Sequence, residues 1–201
     1  MTNPAARAPL TRHITAVFRT ATPKQLDAGM SWYADAHAFA AGLASTYGVS
    51  VAQASGIISA LSPLNPWGNN KRLAERFVRE GGLTEGYLSR GLASAQKILD
   101  GTDVLDVLRA NKTRNFFMSI LTEGDQGITI DRHAYSLAVN TRFGDNMPKL
   151  SDKMYAATVE MYRRATVILS AEYDMRLTPA QTQAVSWVQY RSRFWSENSF
   201  D

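Results

Sequence analysis

Ile128-Thr129-Ile130-Asp131-Arg132-His133-Ala134-Tyr135 sets an ionisable carboxylate between a short β-branched apolar run and a helix. Thr129 and Ile130 favour extended backbone, whereas Ala134, Leu137 and Ala138 recur at helical spacing, so Asp131 falls at or near a helix N-terminus. The unsatisfied backbone N–H groups of a helix N-terminus favour a negative charge. Asp131 therefore reads in two ways. It is an N-cap that stabilises its helix by roughly 1 kcal/mol, or it is a carboxylate placed for chemistry.

Outward from this junction nearly every periodic segment reads as helix, which makes the chain all-α. Thr22 followed by Pro23 opens a helix running through Trp32, Ala36, Phe39 and Leu43 to a stop near Gly48. Ser50 caps a helix through Ile57, Ile58 and Leu61 that ends at the Pro63 and Pro66 loop. A basic amphipathic helix over 69–78 turns Leu73, Phe77 and Val78 inward and stops at Gly81-Gly82. Short helices follow over 93–99 and 104–108, the second capped by Thr102, and a helix over 112–121 carries Phe116, Phe117 and Ile120 at core spacing. Beyond the Asp131 helix lies a polar loop over 143–149. Ser151 then caps a long helix through Tyr162 and Ile168, and Thr178 and Gln181 stand at capping-box spacing before a last helix that runs towards Arg193. The tail over 196–201 is expected to fray.

Composition narrows the class. With 201 residues, 45% of them hydrophobic, the chain is long enough for a real core and carries no repeat or long linker. Zero cysteines exclude disulfides, thiol nucleophiles and thiolate-held iron–sulfur clusters. His13, His37 and His133 show no metal-ligand spacing, so neither metal nor cofactor is expected. No apolar run spans a bilayer and the N-terminal segment lacks a signal core, so a soluble cytoplasmic protein without membrane contact is expected. The oligomeric state is open, with a monomer as the expectation. A net charge of +4 is a modest excess that nucleic acid would suit without requiring. Arginines at 163, 164, 191 and 193 interleave with Trp187, Tyr190, Phe194 and Trp195, a mixture suited to phosphate contact and base stacking or to a helix with a buried aromatic face.

Asp131-Arg132-His133 after Ile-Thr-Ile resembles the Val-Asp-Thr-His segment of the helix-hairpin-helix DNA glycosylases, the superfamily of endonuclease III and the adenine glycosylases. Upstream, Ala60-Leu61-Ser62-Pro63-Leu64-Asn65-Pro66-Trp67, followed by Asn70, resembles that family's Leu-Ser-x-Gln-Thr loop. Lys112-Thr113, about nineteen residues before Asp131, resembles its Lys-Thr pair. The resemblance spans 51–140. It implies one all-α glycosylase-like domain over 1–201, a multi-helix bundle of two lobes with a cleft between them. Helices over 11–48 and 151–193 would complete the second lobe. The chain departs from the pattern at Leu108-Arg109-Ala110-Asn111-Lys112, where the family has a glycine-rich hairpin, at Leu64 in place of Gln, and at Ser136 in place of Arg.

The resemblance implies a partner, double-stranded DNA with an extruded base, and roles for named residues. Asp131 would be catalytic, stabilising positive charge on the sugar or activating a nucleophile. Lys112 would be the lyase nucleophile, the alternative being an ordinary first-turn lysine. Leu64 would wedge the vacated stack. Ser62, Asn65, Trp67 and Asn70 would contact the gap or the base, with Trp67 readable equally as a core aromatic. Arg132 and His133 would bind or brace the substrate, and Tyr33 and His37 would line its pocket. The superfamily also holds phage enzymes that install amino acids or polyamines on activated hydroxymethyl-pyrimidines, among them α-glutamyl- and putrescinyl-thymine pyrophosphorylases. The lost glycine hairpin makes that branch an alternative, with a small amine or amino acid as second partner and the host cytoplasm as location. A non-catalytic DNA-binding protein of the same fold is the third reading.

Overall fold

In the computed structural model, residues 7–143 and 147–194 are described. They form ten helices and no strand: α1 (Thr11–Arg19), α2 (Pro23–Tyr47), α3 (Val51–Ala60), α4 (Trp67–Arg79), α5 (Ser89–Leu99), α6 (Val104–Val107), α7 (Asn111–Leu121), α8 (Arg132–Ala138), α9 (Asp152–Glu172) and α10 (Pro179–Ser192). Trp195, the tail and the middle of the expected 143–149 loop lie outside the described residues. No described helix is long and apolar enough to cross a membrane.

Helix starts follow their local chemistry. Ser50 with Gln53, and Thr178 with Gln181, close reciprocal capping boxes, and Ser151 caps α9 through the Met154 N–H. Three boundaries correct the sequence reading. Asp103, not Thr102, caps α6, its carboxylate accepting from the Leu105 N–H; with Val104 the first helical residue, position 103 is the one whose side chain reaches the free donors. Helix α4 begins at Trp67 rather than 69, and α5 at Ser89 rather than 93.

The chain divides into two compact units, one from residues up to Trp32 and from Ile128 onward, the other Tyr33–Gly127. The expected 51–140 core is thereby divided at Gly127.

In the Tyr33–Gly127 unit, every residue of α3 from Ala54 to Ala60 is buried, so the helix is surrounded rather than amphipathic. Around its Ile57 and Ile58, Phe77, Ala95, Ile98 and Ile120 form fully buried surroundings. Gly56 is required for that packing, since a Cβ there would lie 2.8 Å from Val104 Cγ1.

In the other unit, Ile14, Phe18, Tyr135, Leu137, Tyr162 and Leu169 pack between α1, α8, α9 and α10. Ile128-Thr129-Ile130 lies outside any helix and pairs with no strand among the described residues. The Tyr155 hydroxyl takes the place of one: it accepts from the Ile130 N–H at 3.1 Å and donates to the Ile128 carbonyl at 2.9 Å. Buried backbone groups need partners, and this side chain supplies two beside Asp131. The Tyr162 hydroxyl donates to the Ala134 carbonyl at 3.0 Å, pinning α8 to α9.

Candidate active site at the start of α8

Asp131 is the N-cap of α8. Its Oδ1 accepts from the backbone N–H groups of His133 at 2.9 Å and Ala134 at 2.8 Å. Its Oδ2 accepts from the indole Nε1–H of Trp187 at 2.9 Å. Three donors on one half-buried carboxylate hold it in one orientation and match its negative charge. The N-cap reading of Asp131 is thus established, and a capping carboxylate remains free to serve chemistry as well.

Trp187 is the residue that sequence reasoning did not connect to Asp131. It was legible as one of an aromatic and arginine group on the last helix, where positions 187, 190, 191 and 194 share a face at helical spacing. Its pairing across 56 residues is a product of topology. The indole packs against Trp32 with ring centroids 5.3 Å apart, and the Arg191 guanidinium lies 4.6 Å from its ring centroid. Burial pulls the Arg191 guanidinium below its ordinary pKa, and the Asp131 carboxylate pulls the other way.

His133 extends the cluster. Its ring lies 6.3 Å from Trp187 and 6.4 Å from Tyr190, and its Nε2 accepts from Arg132 Nε at 3.3 Å. Tyr190 is buried, its hydroxyl in hydrogen-bond contact with Ser136, the residue that stands where the resembled family has arginine. Burial raises the Tyr190 pKa; Ser136 and the positive charges of Arg142 and Arg193 oppose the rise. Phe194 packs on Tyr190 at 5.2 Å and carries the Arg142 guanidinium 4.3 Å from its centroid. Arg142 was not singled out in the sequence, where it stands alone among polar residues. The result is a carboxylate bordered by aromatic faces and arginines, able to stack planar groups and to hold phosphate.

The remaining expected site residues belong to the Tyr33–Gly127 unit. Leu64 is 87% exposed and holds a left-handed φ of 60°, a conformation costly for a branched side chain. The loop around it is braced: the Tyr87 hydroxyl donates to the Pro63 carbonyl, the Asn65 amide to the Leu61 carbonyl at 3.1 Å, and the Ser62 hydroxyl to the Ser59 carbonyl at 2.9 Å. Ser62 and Asn65 thus shape the loop. Asn70 is corrected: it is 1% exposed, and its amide donates to the Ile58 carbonyl at 3.1 Å, tying α4 to α3 with no surface left for a substrate. Trp67 is half-buried, packed against the core of its unit and edge-on to Phe39 and Phe116 at 6.3 Å each.

Tyr33 is buried. His37 is half-buried, its Nδ1 within 3.1 Å of the Ile120 carbonyl and its Nε2 within 3.8 Å of Glu123, which makes it a brace between α2 and the end of α7. Lys112 is half-buried in the first turn of α7 and makes no hydrogen bond or ion pair among the described residues. The connection from α6 to α7, Leu108-Arg109-Ala110, contains no left-handed residue, so the chain does not form the glycine-type anion nest of the resembled hairpin. Among the described residues no three His, Asp or Glu side chains could hold a metal ion.

No curated protein and no solved structure matches the chain. The family model of DUF7178, a family of unknown function, matches residues 1–194, and the chain belongs to that family.

Proposed function

We propose that this protein is a DNA-base-acting enzyme of the DNA glycosylase superfamily, with a helix-hairpin-helix glycosylase-like bundle, that extrudes a nucleotide and uses Asp131 at its base or sugar. The observation that carries the reading is the Asp131 carboxylate held by two backbone N–H groups and the Trp187 indole at the edge of an aromatic and arginine cluster. In a hydrolytic reaction the N-glycosidic bond breaks with its electrons leaving on the base, which takes up a proton. Water adds to the sugar carbon and gives up a proton. A fixed carboxylate beside that carbon offsets the positive charge that develops in between, without reorganising as it does so. The aromatic faces of Trp187 and Tyr190 suit an unstacked base and Arg132 and Arg142 suit flanking phosphates, while Leu64 is the wedge that the resemblance implies. Lys112, with no partner among the described residues, would give the lyase nucleophile in a bifunctional reaction.

A second reading, transfer of an amine or amino acid to an activated hydroxymethyl-pyrimidine in DNA, draws support from the α6–α7 connection. Without left-handed residues it departs from the repair enzymes' phosphate grip. One experiment separates the readings: mass spectrometry of free bases and nucleosides after incubation with normal, damaged and hydroxymethylated duplexes, the last with and without a small amine. A released base supports excision, and a gain in mass supports transfer. Unchanged DNA that is nevertheless bound returns the protein to a non-catalytic binder. A borohydride-trapped covalent complex, lost in Lys112→Ala, would add the lyase step.

A further inference from the structure

A cavity lies wholly within the unit that carries Asp131, between α1, the end of α8 and the end of α10. Its volume is about 290 Å³, at the lower edge of the roughly 300–1,000 Å³ of small-molecule pockets. Ala16, Val17 and Leu137 give it an apolar wall. Among the described residues no carboxylate lines it. The cation on its border, Arg193, is held in place by one bond, from Nη2 to the Thr20 hydroxyl at 3.0 Å, while Thr20 in turn donates to the Val17 carbonyl at 2.8 Å. A guanidinium has five N–H donors, so a positioned Arg193 keeps several for a ligand.

The other polar groups are equally ready. His13 Nδ1 lies 3.0 Å from the Ala138 carbonyl, and a carbonyl only accepts, so the proton sits on Nδ1 and Nε2 is the ring atom left for a ligand. Asn140 holds the left-handed turn that ends α8, at φ 49°, and its side-chain amide has no hydrogen bond among the described residues. Asparagine tolerates that backbone, so the amide is displayed there without the strain that most residues would bear. Tyr190 also lines the cavity.

We propose that this cavity binds a small organic carboxylate with a short branched or linear apolar body, the anion on Arg193 and the body against Ala16, Val17 and Leu137. The same chemistry belongs to simple carboxylates and to apolar α-amino acids. An ammonium beside the carboxylate would find acceptors in His13 Nε2 and the Asn140 carbonyl oxygen. This site stands apart from the Asp131 reading, although Tyr190 borders both.

The test is calorimetric titration of the full chain with isovalerate, L-leucine, inorganic phosphate and isoamylamine, repeated on Arg193→Gln and Ala16→Phe. Binding of isovalerate or L-leucine is expected, with phosphate and the amine much weaker. Arg193→Gln should weaken the carboxylates by about ten- to a hundredfold, as loss of a charge-assisted bond implies. Ala16→Phe, which fills the apolar wall and leaves the cation, should abolish them. Tighter binding of L-leucine than of isovalerate assigns the amino acid, and equal binding assigns the simple carboxylate. Binding of the amine as tight as that of isovalerate, binding of phosphate alone, or no binding at all overturns the proposal. The readout uses no DNA, so it fails or succeeds independently of any action on a base.

Discussion

Replacing Asp131 by Asn is the most informative perturbation, because the structure specifies what is kept and what is lost. Asparagine caps helices about as well as aspartate, and its oxygen can take over the two bonds from the His133 and Ala134 N–H groups. Its amide nitrogen then faces the Trp187 Nε1–H, donor against donor, where the carboxylate accepted at 2.9 Å. Flipping the amide is worse, since the nitrogen would meet two backbone donors. A hydrogen bond to a charged group contributes roughly 1.5–3 kcal/mol, and half-burial reduces that to about 1–2 kcal/mol here.

Trp187→Phe removes the same bond from the other side and also forfeits part of the packing against Trp32 and Arg191, so it should cost about 2–3 kcal/mol. In the double variant the shared bond can be lost only once and the facing donors are relieved. Its destabilisation should fall short of the sum of the singles by about 1–2 kcal/mol. Urea denaturation of the four proteins measures this, with base release or base modification assayed on the same preparations. Additivity within about 0.5 kcal/mol would refute the Asp131–Trp187 contact. Full activity in Asp131→Asn would refute the catalytic role while leaving the contact standing.

The other expectations follow from single features. Leu64→Gly should leave thermal stability unchanged or raise it by about 1 kcal/mol, because glycine adopts φ 60° freely and an exposed leucine buries nothing, while reaction on duplex DNA falls more than on single strands; a loss of several kcal/mol would place Leu64 in a core. Burial pushes the Tyr87 hydroxyl up to about 12, so the stability it contributes is complete below its unfolded value of about 10 and is lost as pH rises towards 12; Tyr87→Phe should show a shallower decline across that window in pH-dependent melting. Gly29→Ala should destabilise by about 1–3 kcal/mol or more in chemical denaturation, because the new methyl would meet the Val185 backbone at 2.4 Å where α2 and α10 approach.

What the sequence disclosed was local. The capping boxes at Ser50 and Thr178 and the Asp131 cap were legible because each rests on residues two or three apart, whose side chains reach the free N–H groups whatever the rest of the chain does. The candidate site was legible by residue type and not by partnership. Trp187 and Arg191 stood out as an aromatic and an arginine on one helical face, but nothing local ties them to Asp131. Asn70 shows the opposite failure: the resemblance gave it as a contact to the gap or the base, and the close approach of α4 to α3 buries it against Ile58. Asp103 displaced Thr102 because a shift of one residue in a four-residue helix changes which side chain is the cap.

Leu64 gives the disagreement between local preference and observed backbone its most useful form. Four non-glycine residues among those described have positive φ: Leu64, Glu123, Asn140 and Asp174. The last three are polar residues in turns that close helices, and asparagine and aspartate tolerate that region through their short polar side chains. Leu64 is the apolar member, pays roughly 1–2 kcal/mol for the conformation, and recovers none of it by burial. Pro63, Asn65 and Tyr87 are spent on holding the loop around it. Strain that the surroundings enforce and the fold does not use is what the proposed wedge role of Leu64 would account for. In the proposed reaction an exposed branched side chain would meet the open face of a base stack, an apolar surface.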